Sequence, residues 1–164
     1  MSEGLAWFNS LGEQEARDQL FHCLALRTWA ENVAAARPYD TLSHLMARVD
    51  SEMDSLGEGD WLQAFAAHPR IGERGGHAPA TSEQEQSRVM RAAEETLEAL
   101  HAENRVYEER FGHVFLIAAA GRSADEILES LRERMSNDPA TELEVAAEEQ
   151  RKITRLRLLA LLNR

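Results

Sequence analysis

The sequence predicts an all-α fold, a single compact domain of about seven to nine helices. Helix-forming residues dominate the 164-residue chain, whereas the alternating β-branched residues that are typical of strands are nearly absent. A chain of this length buries roughly two thirds of its unfolded surface in one core. The sequence contains no internal repeat and no linker-like tract. We therefore expect one domain over residues 1–164.

The helix boundaries follow from turn and capping residues. Breaks of this kind are RPYD, GEGD and SNDP, which separate amphipathic stretches. The predicted helices cover residues 13–24, 25–36, 41–55, 59–67, 82–103, 123–135 and 139–162. A further short helix is expected near the N-terminus, ahead of residues 7–11.

Two segments do not fit a helical pattern. Residues 68–81 are rich in glycine and proline, and the glycines predict a mobile loop over residues 72–80 that closes over a ligand. Residues 111–121 (FGHVFLIAAAG) are apolar but lack helical amphipathicity. We expect a buried, partly extended stretch there, whose backbone N–H and C=O groups can contact a ligand.

Charge and composition exclude several classes of protein. The net charge of -11 argues against nucleic-acid binding, which needs concentrated Lys and Arg. No apolar run reaches the roughly 20 residues of a membrane span, and the N-terminus lacks a signal peptide, so we expect a cytoplasmic protein. Cys23 is the only cysteine and lies in the apolar run LFHCLAL, which favours an inert core thiol over a nucleophile.

His68 is the first candidate for chemistry. Because it precedes Pro69 and such residues are kept out of the α region, the helix should end at or just before His68. An imidazole at a helix C-terminus is favoured by the helix dipole alone. It is also a suitable general acid or base near neutral pH. The residues themselves leave both interpretations open.

The segment SEQEQ, residues 82–86, supports a similar pair of interpretations. Ser82 and Glu85 have the spacing of a capping box, in which both side chains only begin a helix. Glu85 and Gln86 also lie at the start of an apolar stripe that continues through Val89 and Ala93. At least one of the two should therefore point inward, towards a protein partner or a ligand.

Arg157 in the last helix is a further candidate. At about 100° per residue, it falls within an apolar arc that includes Thr154, Leu158 and Leu161, whereas Arg155 points away. An inward guanidinium needs a carboxylate of the protein or an anionic ligand. We predict no metal site, because HExxH is absent and the spacing of the six histidines matches no common ligand set.

Four segments carry a resemblance to a known family. Together, HPRIG, SEQEQ, FGHVFLIAAAGRS and NDPATELEVAAEEQRKITRLRLLAL resemble the 2-oxo-4-hydroxy-4-carboxy-5-ureidoimidazoline (OHCU) decarboxylases of urate degradation. The resemblance runs from Trp7 to the last helix. It implies an all-helical, cofactor-free carboxy-lyase that converts OHCU, its small-molecule substrate, to (S)-allantoin. It leaves the oligomeric state open, a homodimer included.

The resemblance also implies roles for individual residues. It makes His68 and Glu85 the catalytic residues. The substrate-binding residues that it implies are Pro69, Ser82, Gln86, Leu116, Ile117, Ala118 and Arg157.

Two other functions compete with this assignment. SRVM follows Gln86 where many relatives have an Ala-Gly-Leu pattern, and a decarboxylase of a related ureido or imidazoline acid would fit the same fold. A non-catalytic all-α interaction protein would use Ser82 and Glu85 only as a cap and would pair Arg157 internally. Ligand-induced protection at His68 and Arg157 would separate enzyme from interaction protein.

Overall fold

The computed structural model describes residues 2–70 and 94–164. Regular secondary structure in these two ranges is helical throughout, which confirms the all-α class. No helix within them is long and apolar enough to cross a lipid bilayer. The eight helices of this part of the chain are α1 (Glu3–Ser10), α2 (Glu13–Cys23), α3 (Arg27–Ala35), α4 (Leu42–Asp54), α5 (Glu58–Ala66), α6 (Glu94–Phe111), α7 (Ala124–Arg134) and α8 (Pro139–Leu162).

Most helix boundaries agree with the sequence prediction within two residues, because capping residues mark them. The side-chain oxygens of Ser2 and Thr41 accept hydrogen bonds from amides in the first turns of α1 and α4. Ser123 and Glu126 form a full capping box at the start of α7, with both hydrogen bonds at 3.1 Å. A proline at the first position of α8 is pre-set for a helix start.

The predicted end of the helix at residue 103 is wrong. α6 continues to Phe111, and residues 82–93 of the prediction lie outside the described ranges. Asn104 and Tyr107 continue the buried stripe that begins at Leu100. The spacing of these three residues, i, i+4 and i+7, keeps them on one helical face.

The chain divides into two compact units. The first comprises Met1–Ala67 together with Ala147–Arg164, and the second is His68–Ala146. One boundary therefore directly precedes His68, and the other lies inside α8. The expectation of a single domain over residues 1–164 stays a prediction.

The first unit contains α1 to α5 and the C-terminal part of α8. α3 packs against both α2 and α4. Phe8, Trp29, Val49 and Phe65 are among its buried core residues, and the Trp29 indole N–H donates to the carbonyl of Val49 at 3.4 Å. The unit is thus built around a mainly apolar core.

The first unit also brings its two ends together. Gly4 of α1 is buried against the end of α8, where a Cβ atom at position 4 would lie 1.7 Å from the carbonyl oxygen of Leu162. Any larger residue would therefore collide with backbone, which cannot move aside as a flexible side chain does. Glycine is required here by the close approach of two helices.

The second unit contains α6, α7 and the first turns of α8, with an irregular segment between α6 and α7. Its core consists of residues from both helices and from that segment. They are Leu100, Tyr107, Phe115, Ile117, Ile127, Leu128 and Leu131. The irregular segment is therefore a part of the core.

Candidate active site

His68 follows directly after α5. The helix ends at Ala66 with Ala67 as its C-cap, and the next residue, His68, is half-buried. Pro69 then keeps His68 out of the helical conformation. The predicted helix end is confirmed, and the imidazole stands on a short connecting segment next to a rigid element.

An ion pair holds the segment that carries His68. The Nε atom of Arg70 donates to both carboxylate oxygens of Glu108 on α6, at 2.8 and 3.1 Å. The pair is partly exposed, with 53% of the Arg70 side chain and 21% of the Glu108 side chain accessible. Salt will therefore weaken it, but it fixes the residue two positions after His68 to the side of α6.

The segment between α6 and α7 is irregular, as predicted, but only its central residues 115–117 are buried. It begins at Gly112 and turns at Gly121, both with φ of 79°, a left-handed conformation that glycine adopts without strain. Between them, Leu116 and Ile117 are 3% and 4% exposed and Ala118 is half-buried. Among hydrogen bonds between described residues, none uses the amide N–H of Leu116 or Ile117.

A buried arginine of α7 holds this segment in place. The Nη1 atom of Arg134 donates to the carbonyl oxygen of Leu116 at 2.6 Å. Its Nε and Nη2 atoms donate to one carboxylate oxygen of Glu142 at 2.8 and 2.5 Å. Glu142 is fully buried and Arg134 is 6% exposed. The guanidinium thus joins the start of α8 to the backbone of the irregular segment.

Three more groups complete what we call the Arg134 network, made of Arg134, Glu142, Tyr107, Asn137 and Phe115. The Tyr107 hydroxyl donates a short hydrogen bond to Glu142, and the Asn137 amide donates to its other oxygen at 3.0 Å. The guanidinium also lies 4.5 Å from the centre of the Phe115 ring. Burial, followed by the hydrogen bond to Glu142, raises the pKa of Tyr107 well above its usual range, so its hydroxyl stays a donor.

The sequence prediction missed Arg134 and Glu142, although a signal existed. Arg134 lies three residues after Leu131 and seven after Ile127, which places it on the buried face of α7. Glu142 lies four residues before the buried Ala146. The argument from periodicity that singled out Arg157 therefore applies more strongly to these two residues.

The predicted inward orientation of Arg157 is wrong. Arg157 is exposed and donates a long hydrogen bond, at 3.4 Å, to the His22 carbonyl at the end of α2. The buried positions Thr154, Leu158 and Leu162 form the local stripe, and Arg157 lies about 100° from Leu158. The prediction assumed one straight apolar face along the whole of α8. Because the buried residues recur every four positions, the stripe shifts by about 40° at each step and winds around the helix.

Arg155 was predicted to point away, but it is partly buried and pairs with Asp50 at 2.9 Å. Arg151 lies even closer to the local stripe and pairs with Asp54 at 2.8 Å. The two arginines nearest the buried face of α8, Arg151 and Arg155, are therefore paired with aspartates. The role of Arg157 in substrate binding stays a prediction.

Five of the predicted site residues lie in the described part of the second unit. His68, Pro69, Leu116, Ile117 and Ala118 all belong to the second unit. Ser82, Glu85 and Gln86, and the predicted loop over residues 72–80, lie outside the described residues. In residues 2–70 and 94–164, no three His, Cys, Asp or Glu side chains are grouped as a metal ion would require.

Cys23 is a buried core thiol, as predicted. It is 3% exposed and makes no disulfide. Burial raises the pKa of the Cys23 thiol to about 11, with a smaller opposing influence from the charge of Arg157. A thiol in this state is a poor nucleophile at neutral pH.

Comparison with known families gives a match over nearly the whole chain. Residues 9–159 match the sequence model of the OHCU decarboxylases. A 2-oxo-4-hydroxy-4-carboxy-5-ureidoimidazoline decarboxylase of Amia calva is 32% identical over 134 residues, which cover 79% of this chain and 77% of that protein. A uric acid degradation bifunctional protein of Arabidopsis thaliana is 31% identical over 147 residues, or 86% of this chain. The chain spans 45% of the length of that bifunctional protein.

Solved structures share the fold. A crystal structure of an OHCU decarboxylase in the presence of (S)-allantoin is similar with a TM-score of 0.74 and 32% identity. That likeness covers 90% of this chain and 99% of the other. A crystal structure of an (S)-allantoin synthase has a TM-score of 0.71 at 21% identity, which shows a common fold.

Proposed function

The chain belongs to the OHCU decarboxylase family, and from this premise we propose that it removes CO2 from OHCU to give (S)-allantoin in urate degradation. The observation that carries the proposal is the match of residues 9–159 to one family. The relatives that bear this activity in their names support it. We further propose that the enzyme needs no cofactor. Its location in the cytoplasm and its assembly as a homodimer stay predictions.

The structure of the substrate explains why a cofactor can be dispensed with. Decarboxylation leaves an electron pair behind, for which many enzymes supply an electron sink such as pyridoxal phosphate. In OHCU the carbon that bears the carboxylate is next to a ring C=N bond, which can take up these electrons. The electron pair of the C=N bond moves onto the ring nitrogen, which takes up a proton. The resulting enol is converted to allantoin when its hydroxyl loses a proton and the neighbouring carbon gains one. The protein must bind, orient and move protons.

We assign the proton transfers to His68. An imidazole titrates near neutral pH, so it can accept the hydroxyl proton and return a proton in the same catalytic cycle. His68 follows directly after α5 in the chain and is half-buried, which leaves part of the ring accessible. The ion pair of Arg70 with Glu108 restrains the backbone on its other side. Such restraint favours delivery of the proton to one face of the intermediate.

The backbone of residues 116–118 is the proposed binding surface for the polar edge of the substrate. Leu116 and Ile117 are buried, and their side chains exclude water from the adjoining backbone. Amide N–H groups in such a place can bind a carbonyl or carboxylate oxygen of the substrate. A peptide backbone offers this contact without adding a titratable group to the site.

The other assignments derive from the family resemblance alone. They give Glu85 the role of orienting the imidazole or the substrate nitrogens. They give Ser82, Gln86 and Arg157 contacts to the ureido group or the ring carbonyl groups, and they place Pro69 beside the substrate. Each of these assignments stays a prediction.

The decisive assay follows allantoin by circular dichroism. OHCU is generated in the cuvette by excess urate oxidase and 5-hydroxyisourate hydrolase, and the protein is added in the presence of a chelator. Fast formation of the (S)-allantoin signal is the expected result. Slow formation of racemic product, unchanged by the protein, would exclude the proposed activity, and the assay would then be repeated with related ureido acids.

A pair of histidine variants tests the assignment of His68. His68→Asn should lower kcat by about 10²-fold or more, because it keeps a polar side chain but removes the acid–base group. His101→Asn is the matched control, since His101 is exposed on α6 and should be replaceable without loss. Near-wild-type turnover of His68→Asn would sink the assignment of His68 while leaving the reaction itself standing.

A further inference from the structure

Arg134 makes two different contacts with one guanidinium group. It binds the Glu142 carboxylate through Nε and Nη2, at 2.8 and 2.5 Å, and the Leu116 carbonyl through Nη1, at 2.6 Å. Both the arginine and the glutamate are buried. A lysine ammonium has no planar fork and cannot reproduce this arrangement of donors.

The carboxylate partner is itself fixed from two other directions. Tyr107 on α6 donates to the oxygen that Arg134 binds, and Asn137 donates to the other oxygen at 3.0 Å. Phe115 supports the face of the guanidinium at 4.5 Å. Three elements, α6, α7 and the start of α8, therefore determine where the Nη1 atom points.

The hydrogen bond to Leu116 determines the direction of a neighbouring amide. A trans peptide unit is planar, and its C=O and N–H bonds point in opposite directions. Because the Leu116 carbonyl points at Arg134, the N–H of Ile117 in the same peptide unit points away from Arg134. Between described residues no hydrogen bond uses that N–H.

Irregular backbone depends on such a restraint more than a helix does. The hydrogen bonds of a helix repeat at every residue, whereas residues 113–118 belong to no helix. The contact with Arg134 therefore replaces the regular backbone hydrogen bonds that hold amides in place elsewhere.

We propose that Arg134 is a positioning residue for the decarboxylation, and that it acts by holding the Leu116–Ile117 peptide so that the Ile117 N–H binds a carbonyl or carboxylate oxygen of the substrate. This inference rests on the proposed function. Arg134 acts through the backbone and does not touch the substrate. A displacement of about 1 Å at such a contact can lower a rate by about 10²-fold.

The test compares the same substitution at two arginines of α7. Arg134→Lys keeps the positive charge but loses the simultaneous contacts with Glu142 and Leu116. Arg132→Lys is the matched control, because Arg132 also binds a carboxylate through two nitrogens, Glu103 at 2.8 and 2.7 Å, but is exposed. Both variants are assayed with OHCU formed in the cuvette, well below their melting temperatures.

Two readouts separate positioning from stability. In Arg134→Lys we expect kcat to fall about 10- to 100-fold and the enantiomeric excess of (S)-allantoin to drop. Arg132→Lys should match the wild type in both. A merely stabilising arginine would leave kcat and enantiomeric excess unchanged in the folded protein.

The possible outcomes differ for the inference and for its premise. An active wild type together with near-wild-type kcat and enantiomeric excess in Arg134→Lys would overturn the inference alone. An inactive wild type would overturn the proposed function and the inference with it. If Arg134→Lys does not fold, Glu142→Gln replaces it, since it keeps Arg134 but weakens its anchor. An unchanged kcat and enantiomeric excess in Glu142→Gln would then overturn the inference.

Discussion

The two compact units each bury a tyrosine hydroxyl, but they satisfy it in different ways. In the first unit, Tyr39 donates to the backbone carbonyl of Val33 at 2.5 Å, and its own backbone pairs with the Asn9 side chain through two hydrogen bonds of 2.9 Å. All these partners are neutral. In the second unit, Tyr107 donates to the carboxylate of Glu142, which also binds the buried Arg134.

The two arrangements differ in their effect on stability. Neutral partners satisfy the hydroxyl of Tyr39 without the cost of removing a charge from water. A buried ion pair is seldom the most stabilising arrangement, because the removal of two charges from water offsets their attraction. In the second unit the paired arginine also binds the carbonyl of Leu116, so the buried pair holds the backbone of the irregular segment.

The largest expected effect follows from breaking the buried pair. Glu142→Ala leaves the Arg134 guanidinium buried without its carboxylate, and we expect the free energy of unfolding to fall by about 3–5 kcal/mol. Urea denaturation followed by far-UV circular dichroism measures this loss. A loss below about 1 kcal/mol would show that the interior of the second unit is as tolerant as a surface.

The burial of Cys23 in the first unit predicts sensitivity to alkali. The pKa of the Cys23 thiol is raised from 9.0 to about 11 by burial, so between these values the unfolded chain has released a proton that the native protein retains. Stability therefore falls as pH rises through this window, by roughly 2 kcal/mol between about pH 8 and pH 11. Burial also raises the pKa of Tyr39, to about 12, which adds a further decline above about pH 10.

Cys23→Ala separates the two contributions. The variant should be less stable at every pH because of the smaller side chain, but its decline between about pH 9 and pH 10 should be shallower than that of the wild type. Melting temperatures at a series of pH values give both slopes. Parallel curves would contradict the assignment of the decline to Cys23.

The two tyrosines allow a direct comparison of neutral and charged partners. Tyr107→Phe removes a hydrogen bond to a charged group and should cost about 2 kcal/mol, whereas Tyr39→Phe removes one to a carbonyl and should cost about 1 kcal/mol. Both variants keep the ring and its packing. Equal losses in chemical denaturation would mean that the charge of Glu142 adds nothing to its hydrogen bond with Tyr107.

The smallest expected effect concerns a surface ion pair of the first unit. Arg155 and Asp50 pair at 2.9 Å, but their side chains are 33% and 41% exposed. Their coupling energy should be about 0.5 kcal/mol and should decrease with added salt. A double-mutant cycle of Arg155→Ala and Asp50→Ala measures it. A coupling energy above about 2 kcal/mol would contradict this expectation for an exposed pair.

The fold was predictable where local chemistry determines it. Capping side chains such as Thr41 and Ser123, and the proline after His68, act over a few residues, and the predicted boundaries near them are confirmed. The burial of residues 115–117 followed from their apolar character. These features depend on neighbours in sequence, which periodicity and turn chemistry describe.

The remaining features depend on partners that are distant in sequence. Whether α6 ends at residue 103 or at Phe111 depends on what covers Tyr107, and the orientation of Arg157 depends on how the buried stripe of α8 winds. The contact of Arg134 with Leu116 joins positions 18 residues apart. In a single sequence, Arg134 and Arg157 are both simply polar residues of a helix, and their partners are not visible.

The close approach of Gly4 to Leu162 has a consequence for protein engineering. Since the first and last helices meet at these residues, a short flexible linker could join the two ends without distorting either helix. A circular permutant opened in an exposed turn would then retain the first unit's packing, because such turns tolerate new termini. For the same reason the chain could be inserted into a surface loop of a host protein through two adjacent attachment points.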